Sequence, residues 1–170
     1  MTKLSENFTL SEFTYSETAD AKGINNSPTS VHLNTLKHTC GYFLEPLRKL
    51  LNEHYGCKVI IKITSGYRSK ALNNAIPGAS LTSQHCTGEA ADMNFYKVIG
   101  GKRIYIEVLE VYELVKKWVR AGKLSVDQCI YEVSGKSIWL HGSHSAWGKT
   151  RDRKQFLKYK NGKYILDVDM

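Results

Sequence analysis

Two strand-like runs, CIYEV at Cys129 to Val133 and SIWLH at Ser137 to His141, flank Gly135 and Lys136. No other stretch constrains the fold as much. A two-residue connection between such runs closes an antiparallel hairpin, and the turn sets its register. Glu132 then opposes Trp139 and Ile130 opposes His141, with all four side chains on one face. Glu132 is diagonal to His141, roughly 7 to 8 Å away from backbone to backbone.

A second hairpin is expected downstream, where Gln155 to Lys160 and Tyr164 to Val168 flank Asn161 and Gly162. Upstream, Thr9 followed by Glu12 has capping-box spacing and predicts a short helix over Leu10 to Phe13. The polar run SETADAKGINNSPTS after it reads as loop. From Val31 to about His54, apolar residues including Leu36, Cys40, Phe43, Leu47 and Leu51 recur at helical spacing, and Gly56 offers a stop. Pro46 inside that pattern predicts a kink or two abutting helices.

The β-branched run Val59 to Thr64 predicts a strand delivering Arg68 to a loop, followed by a short helix over Lys70 to Asn74. A second strand is expected over Gly88 to Phe95, with a turn at Ile99, Gly100 and Gly101. An amphipathic helix carrying Val108, Val111, Tyr112, Val115, Trp118 and Val119 then ends near Gly122. Separate helices and hairpins define an α+β class. With 170 residues, 42% of them apolar, and no repeat or linker, residues 1–170 are expected to form one domain ending in a basic hairpin at about 149–170.

The formal charge of +8 attracts polyanions: nucleic acid, anionic lipid or the phosphate-bearing polymers of bacterial walls. No groove-reading motif or aromatic ladder accompanies the charge, so nucleic acid ranks last. The basic run KTRDRKQFLKYK, with Lys149, Arg151, Arg153, Lys154, Lys158 and Lys160, reads as a solvated face that could rest against an anionic wall polymer. Cys40, Cys57, Cys86 and Cys129 form no CxxC pair and are expected as free thiols, Cys86 in the core. The opening MTKLSENFTLSEF lacks the apolar core of a signal peptide, and no run is long enough to span a bilayer. The expectation is a monomer made in the cytoplasm, without a membrane association.

The stretch SQHCTGEAAD places His85 and Asp92 seven residues apart. A catalytic zinc takes three protein ligands and keeps a fourth position open. A loop carrying His85 can turn at Gly88 into a strand on which Asp92 points back, with Ala90 and Ala91 leaving room for the ion. The hairpin offers His141 as a third ligand and Glu132 as a nearby carboxylate to take a proton during hydrolysis. A lone histidine is usually structural, and His32, His38 and His54 are read that way.

Ser83, His85, Gly88, Ala90 and Asp92, with SGYRS upstream and WLH downstream, match the pattern SxHxxGxAxD of a known group. The chain resembles the zinc D-alanyl-D-alanine carboxypeptidase and L-alanyl-D-glutamate endopeptidase family over about Asn7 to His141. That resemblance implies a Hedgehog/DD-peptidase-like fold, with helices packed on a small, mainly antiparallel sheet, and hydrolysis of peptidoglycan stem peptides. It makes His85, Asp92 and His141 ligands of Zn2+, and Arg68 a catalytic and substrate-binding group for a carboxylate or carbonyl oxygen. Ser83, Gln84 and Trp139 are further candidates for substrate binding. Cysteine and charge aside, the missing signal peptide fits a phage or prophage endolysin released by a partner.

One departure matters. Many relatives carry an acid three positions before the last zinc-binding histidine, where this chain has Ile138. Glu132 is taken as the substitute base, with His144 behind it. The same gap permits a second reading, a zinc-containing wall-binding module that has lost hydrolysis.

Overall fold

The computed structural model describes residues 2–146 and 151–168. Of the basic run, Lys149 lies outside the described residues. Helix α1 (Leu10–Thr14) begins at the expected capping box, in which the Glu12 carboxylate accepts from the Thr9 N–H at 2.7 Å. The following segment is not all loop. Helix α2 (Glu17–Lys22) forms because Ser16 caps Ala19 N and Gly23 takes the left-handed conformation that closes its end. With only Ala19 buried, that helix has almost no apolar stripe to reveal it.

Helix α3 (Ser30–Thr39) runs through one π turn, Cys40–Leu44, into α4 (Glu45–Tyr55). Pro46 lies in the first turn of α4, where its missing N–H costs little. The proline therefore marks a junction between two helices, with Gly56 left-handed at the far end. Strand β1 (Val59–Ser65) and helix α5 (Lys70–Ala75) follow as expected.

Strand β2 (Ala90–Ile99) is longer than its sequence pattern predicted, and turns at Gly100 and Gly101 into β3 (Lys102–Ile106). The residues of β3 are mostly exposed, so burial leaves no clear alternation there. After α6 (Val108–Arg120) come β4 (Gln128–Ser134) and β5 (Ser137–Ser143), then β6 (Gln155–Lys160) and β7 (Lys163–Leu166). The two hairpins turn where predicted, and Glu132 pairs with Trp139 and Ile130 with His141.

The sheet order is β1-β2-β5-β4-β6-β7, with β3 on β2. Pairing is antiparallel except between β4 and β6. One face carries Ala91, Met93, Phe95, Cys129 and Leu140, which join Phe43, Leu47, Val115 and other helix residues in a single apolar core. The other face of the central strands carries Asp92, Ile130, Glu132, Trp139 and His141, by the alternation of strand residues. Gly142 faces the helices, and a Cβ there would lie 2.6 Å from the Phe43 ring.

Two details of the core differ from expectation. Ala91 packs into it beside Met93, so its small size serves helix packing and not a metal. Cys86 is half-buried on its turn and outside the core, while Cys40 and Cys129 are buried; all four are free thiols. No described helix is long and apolar enough to cross a membrane.

The last hairpin is tied to α6 through Asp167. Its carboxylate accepts from Tyr112 Oη at 2.9 Å and lies 3.0 Å from Lys116 Nζ and 3.3 Å from Lys158 Nζ. Burial pushes this carboxyl up, but the bonds from Lys116, Tyr112 and Lys158 outweigh it and hold the group at about 2. A depressed native pKa stabilises the fold fully above the ordinary carboxylate value near 3.8, and that contribution is lost as pH falls towards 2. Asp167→Asn should therefore be less stable than wild type at pH 5 and lose less stability between pH 5 and pH 2.5. Urea midpoints at the two pH values measure this; equal losses in both proteins would refute it.

Candidate metal centre and cleft

His85 sits in a short 3₁₀ turn, Gln84–Thr87, capped by Ser83, whose Oγ accepts from the His85 N–H. Gly88 closes the turn with a φ of 80°, and a Cβ there would also meet His32 O and Leu36. The turn aims the His85 ring at the open face of β2. Its Nδ1 bonds to the Gly66 carbonyl at 2.7 Å, which leaves Nε2 towards Asp92 Oδ1 at 3.3 Å. Gly66 is itself pressed against Phe13, where a Cβ would fall 2.6 Å from a backbone atom. The glycine of SGYRS thus sets the carbonyl that orients His85.

Asp92 and His141 are direct partners across β2 and β5. His141 Nδ1 lies 3.0 Å from the same Asp92 Oδ1. The second carboxylate oxygen accepts from Arg68 Nη2 at 3.2 Å, and Arg68 Nε and Nη2 also donate to Ser65 Oγ. Arg68 Nη1 makes no hydrogen bond among the described residues. Position 68 therefore orients Asp92, a role its motif did not reveal.

One ligand atom from each of His85, Asp92 and His141 lies within 4.8 Å of the others, and all three residues are buried. Burial pushes the Asp92 carboxyl up, but its contacts with the two facing imidazoles hold it well below the usual carboxylate range. Burial lowers the His85 pKa, partly offset by Asp92, so its imidazole is biased to the neutral form that ligates metals. A buried two-histidine, one-carboxylate set, with one ring fixed by a backbone carbonyl and the carboxylate fixed by a guanidinium, fits a zinc ion.

The cluster forms part of a cleft of about 590 Å³ lined also by Arg68, Ser83, Gln84, Glu132 and Trp139. Apart from His144, the residues proposed from sequence for catalysis and substrate contact all line this cleft. Gln84 Nε2 donates to Asp127 Oδ2 at 2.9 Å, and Arg153 grips the same carboxylate through Nε and Nη2. Glu132 is half-buried beside Trp139. Burial, then the charge of Asp92, pushes its carboxyl up to about 7 against the opposing influence of His141 and Arg68. A cation in the cluster would oppose that rise.

His144 does not share the cleft. One step past Ser143, it turns to the helix side, where its ring stacks on His38 with centroids 5.2 Å apart and Nδ1 meets Asp152 Oδ2 at 2.7 Å. Its expected role as an alternative base has no support from this placement. Ile138, three residues before His141, packs against the core. Sequence reasoning missed Leu157, Tyr159 and Tyr164, which line the cleft from the last hairpin. Their presence depends on β6 joining β4 in parallel, a long-range pairing that no local pattern announces.

A buried His-Asp-His cluster in an open cleft has the residue types of a site that could hold a metal ion next to a substrate. The family model described as Peptidase M15 matches residues 6–109, more than half of the sequence, and the chain belongs to this family of metallopeptidases. The matched stretch includes Arg68, His85 and Asp92; His141 and Glu132 lie beyond it. No curated protein and no solved structure matches the chain.

Proposed function

We propose that this chain is a zinc-dependent peptidase of peptidoglycan stem peptides with a Hedgehog/DD-peptidase-like fold. The observation that carries the reading is the convergence of His85, Asp92 and His141 within 4.8 Å beside a cleft that also presents Glu132 and Arg68. A zinc ion held by His85, Asp92 and His141 would supply Lewis-acid polarisation of a carbonyl and a nucleophile at neutral pH. Glu132, on the same sheet face, takes the proton of the attacking water and returns it to the leaving amine. Arg68 keeps Asp92 in place and directs its remaining N–H groups at a substrate carboxylate or carbonyl oxygen. Ser83 and Gln84 hold the His85 turn and retain Oγ–H and Oε1 for substrate, and Trp139 walls the cleft.

The natural occupants are peptides with a carboxylate near the scissile bond, as D-alanyl-D-alanine and L-alanyl-D-glutamate bonds both provide. The exposed basic side chains of the C-terminal segment would hold an anionic wall polymer, and an endolysin is the setting in which these properties combine. Ile138 in place of the usual acid favours a second reading, a zinc-containing wall-binding module without turnover. Incubation with purified cell walls tests both. Clearing that stops with a chelator, with peptide fragments identified by mass, supports the peptidase, and the fragments name the bond. Wall binding without soluble fragments supports the module.

A further inference from the structure

The strand register writes a row of side chains across the cleft-facing side of the sheet. Trp139 on β5 pairs with Glu132 on β4, Glu132 with Tyr159 on β6, and Tyr159 with Tyr164 on β7. Directly paired residues share a face, so the proposed base stands between an indole and two phenol rings. A neighbouring row carries His141, Ile130 and Leu157, paired in the same order. The tyrosine rings are 4.6 Å apart and both line the cleft. Tyr164 is nevertheless 60% exposed, an aromatic left open at the edge of a candidate active site. Asp167 ties the hairpin to Tyr112 and Lys116 of α6.

Polarity differs across this cleft. Arg68 lies at the β1 side of Asp92, held by Ser65, whereas the β4, β6 and β7 side is floored by Ile130 and Leu157 and walled by the two tyrosines. The cation on that side, Arg153, is held by Asp127, so an acidic side chain placed on that floor would lose water beside the Glu132 carboxylate without gaining a free cation, while a methyl or methylene group would gain contact.

We propose that Tyr159 and Tyr164 are specificity-determining residues, forming a subsite for an uncharged aliphatic side chain on the amino side of the scissile bond. The substrate then lies with its carboxylate-bearing residue towards Arg68 and its alanine-like residue against the hairpin. This orientation rests on the peptidase reading above.

The test compares two peptides of equal length that carry alanine or aspartate on the amino side of the bond cut. Wild-type protein should prefer alanine by at least about tenfold in kcat/KM, within the range a change of side chain in an apolar pocket commands. In Tyr159→Ala/Tyr164→Ala, and more weakly in Tyr164→Ala alone, the preference should fall to roughly threefold or less. Glu132 is intact in every variant, so the change in ratio reads the hairpin wall alone. Tyr164→Phe, which keeps the ring, and Ile165→Ala, on the opposite face of β7, should retain the wild-type ratio. A ratio unchanged in Tyr164→Ala, or equally lost in Tyr164→Phe, overturns the subsite while leaving the peptidase standing. Failure of the wild-type protein to cut any peptide or wall fragment overturns the peptidase reading and the subsite with it.

Discussion

Asp92→Ala is expected to strip the chain of its metal and abolish turnover. Asp92 Oδ1 faces both His85 Nε2 and His141 Nδ1, so the substitution removes the one atom that draws the two imidazoles together. It also leaves Arg68, half-buried and previously paired with Asp92 Oδ2, beside two histidines without a compensating charge. Loss of an outer partner of a metal ligand typically costs ten- to a hundredfold, so loss of the ligand itself should cost roughly 10³-fold or more. Metal analysis after dialysis should fall from near one ion per chain to a small fraction, with circular dichroism reporting that the sheet survives. A variant that keeps its zinc would remove Asp92 from the ligand set.

Glu132→Gln should separate chemistry from metal binding. Glutamine preserves the shape of the side chain between Trp139 and Tyr159 but cannot accept the proton of water. Zinc content should stay near one per chain while kcat falls by about 10² or more, the usual cost of removing a general base. His144→Ala should leave kcat within a few fold, since that ring stacks on His38 away from the cleft. Near-normal turnover in Glu132→Gln would return the proton-transfer role to an unassigned group.

Local chemistry made much of this protein legible in advance. Residues that act through short spacing were readable: the Thr9 and Glu12 capping box, the Gly56 helix stop, and the Gly135-Lys136 turn with its register. The register mattered most, because strand alternation alone placed Glu132 and His141 on one face before any packing was known. Elements without an apolar pattern were not readable in this way. Helix α2 buries only Ala19 and β3 buries only Ile106, so neither shows the periodicity that burial imprints.

The site divides along the same line. Sequence alone determined the residue types of a metal set, because the spacing of His85 and Asp92 around Gly88 is a property of one turn and one strand. Tertiary structure decided that His141 pairs directly with Asp92, that Arg68 holds the other carboxylate oxygen, and that Gly66 fixes the His85 ring. It also sent His144 to the helix side and brought Tyr159 and Tyr164 from the last hairpin to the cleft. Those outcomes depend on strand order, and above all on β6 pairing in parallel with β4. Pairings between strands distant in sequence are chosen by burial of a shared face, a property of the assembled sheet that no single stretch of chain contains.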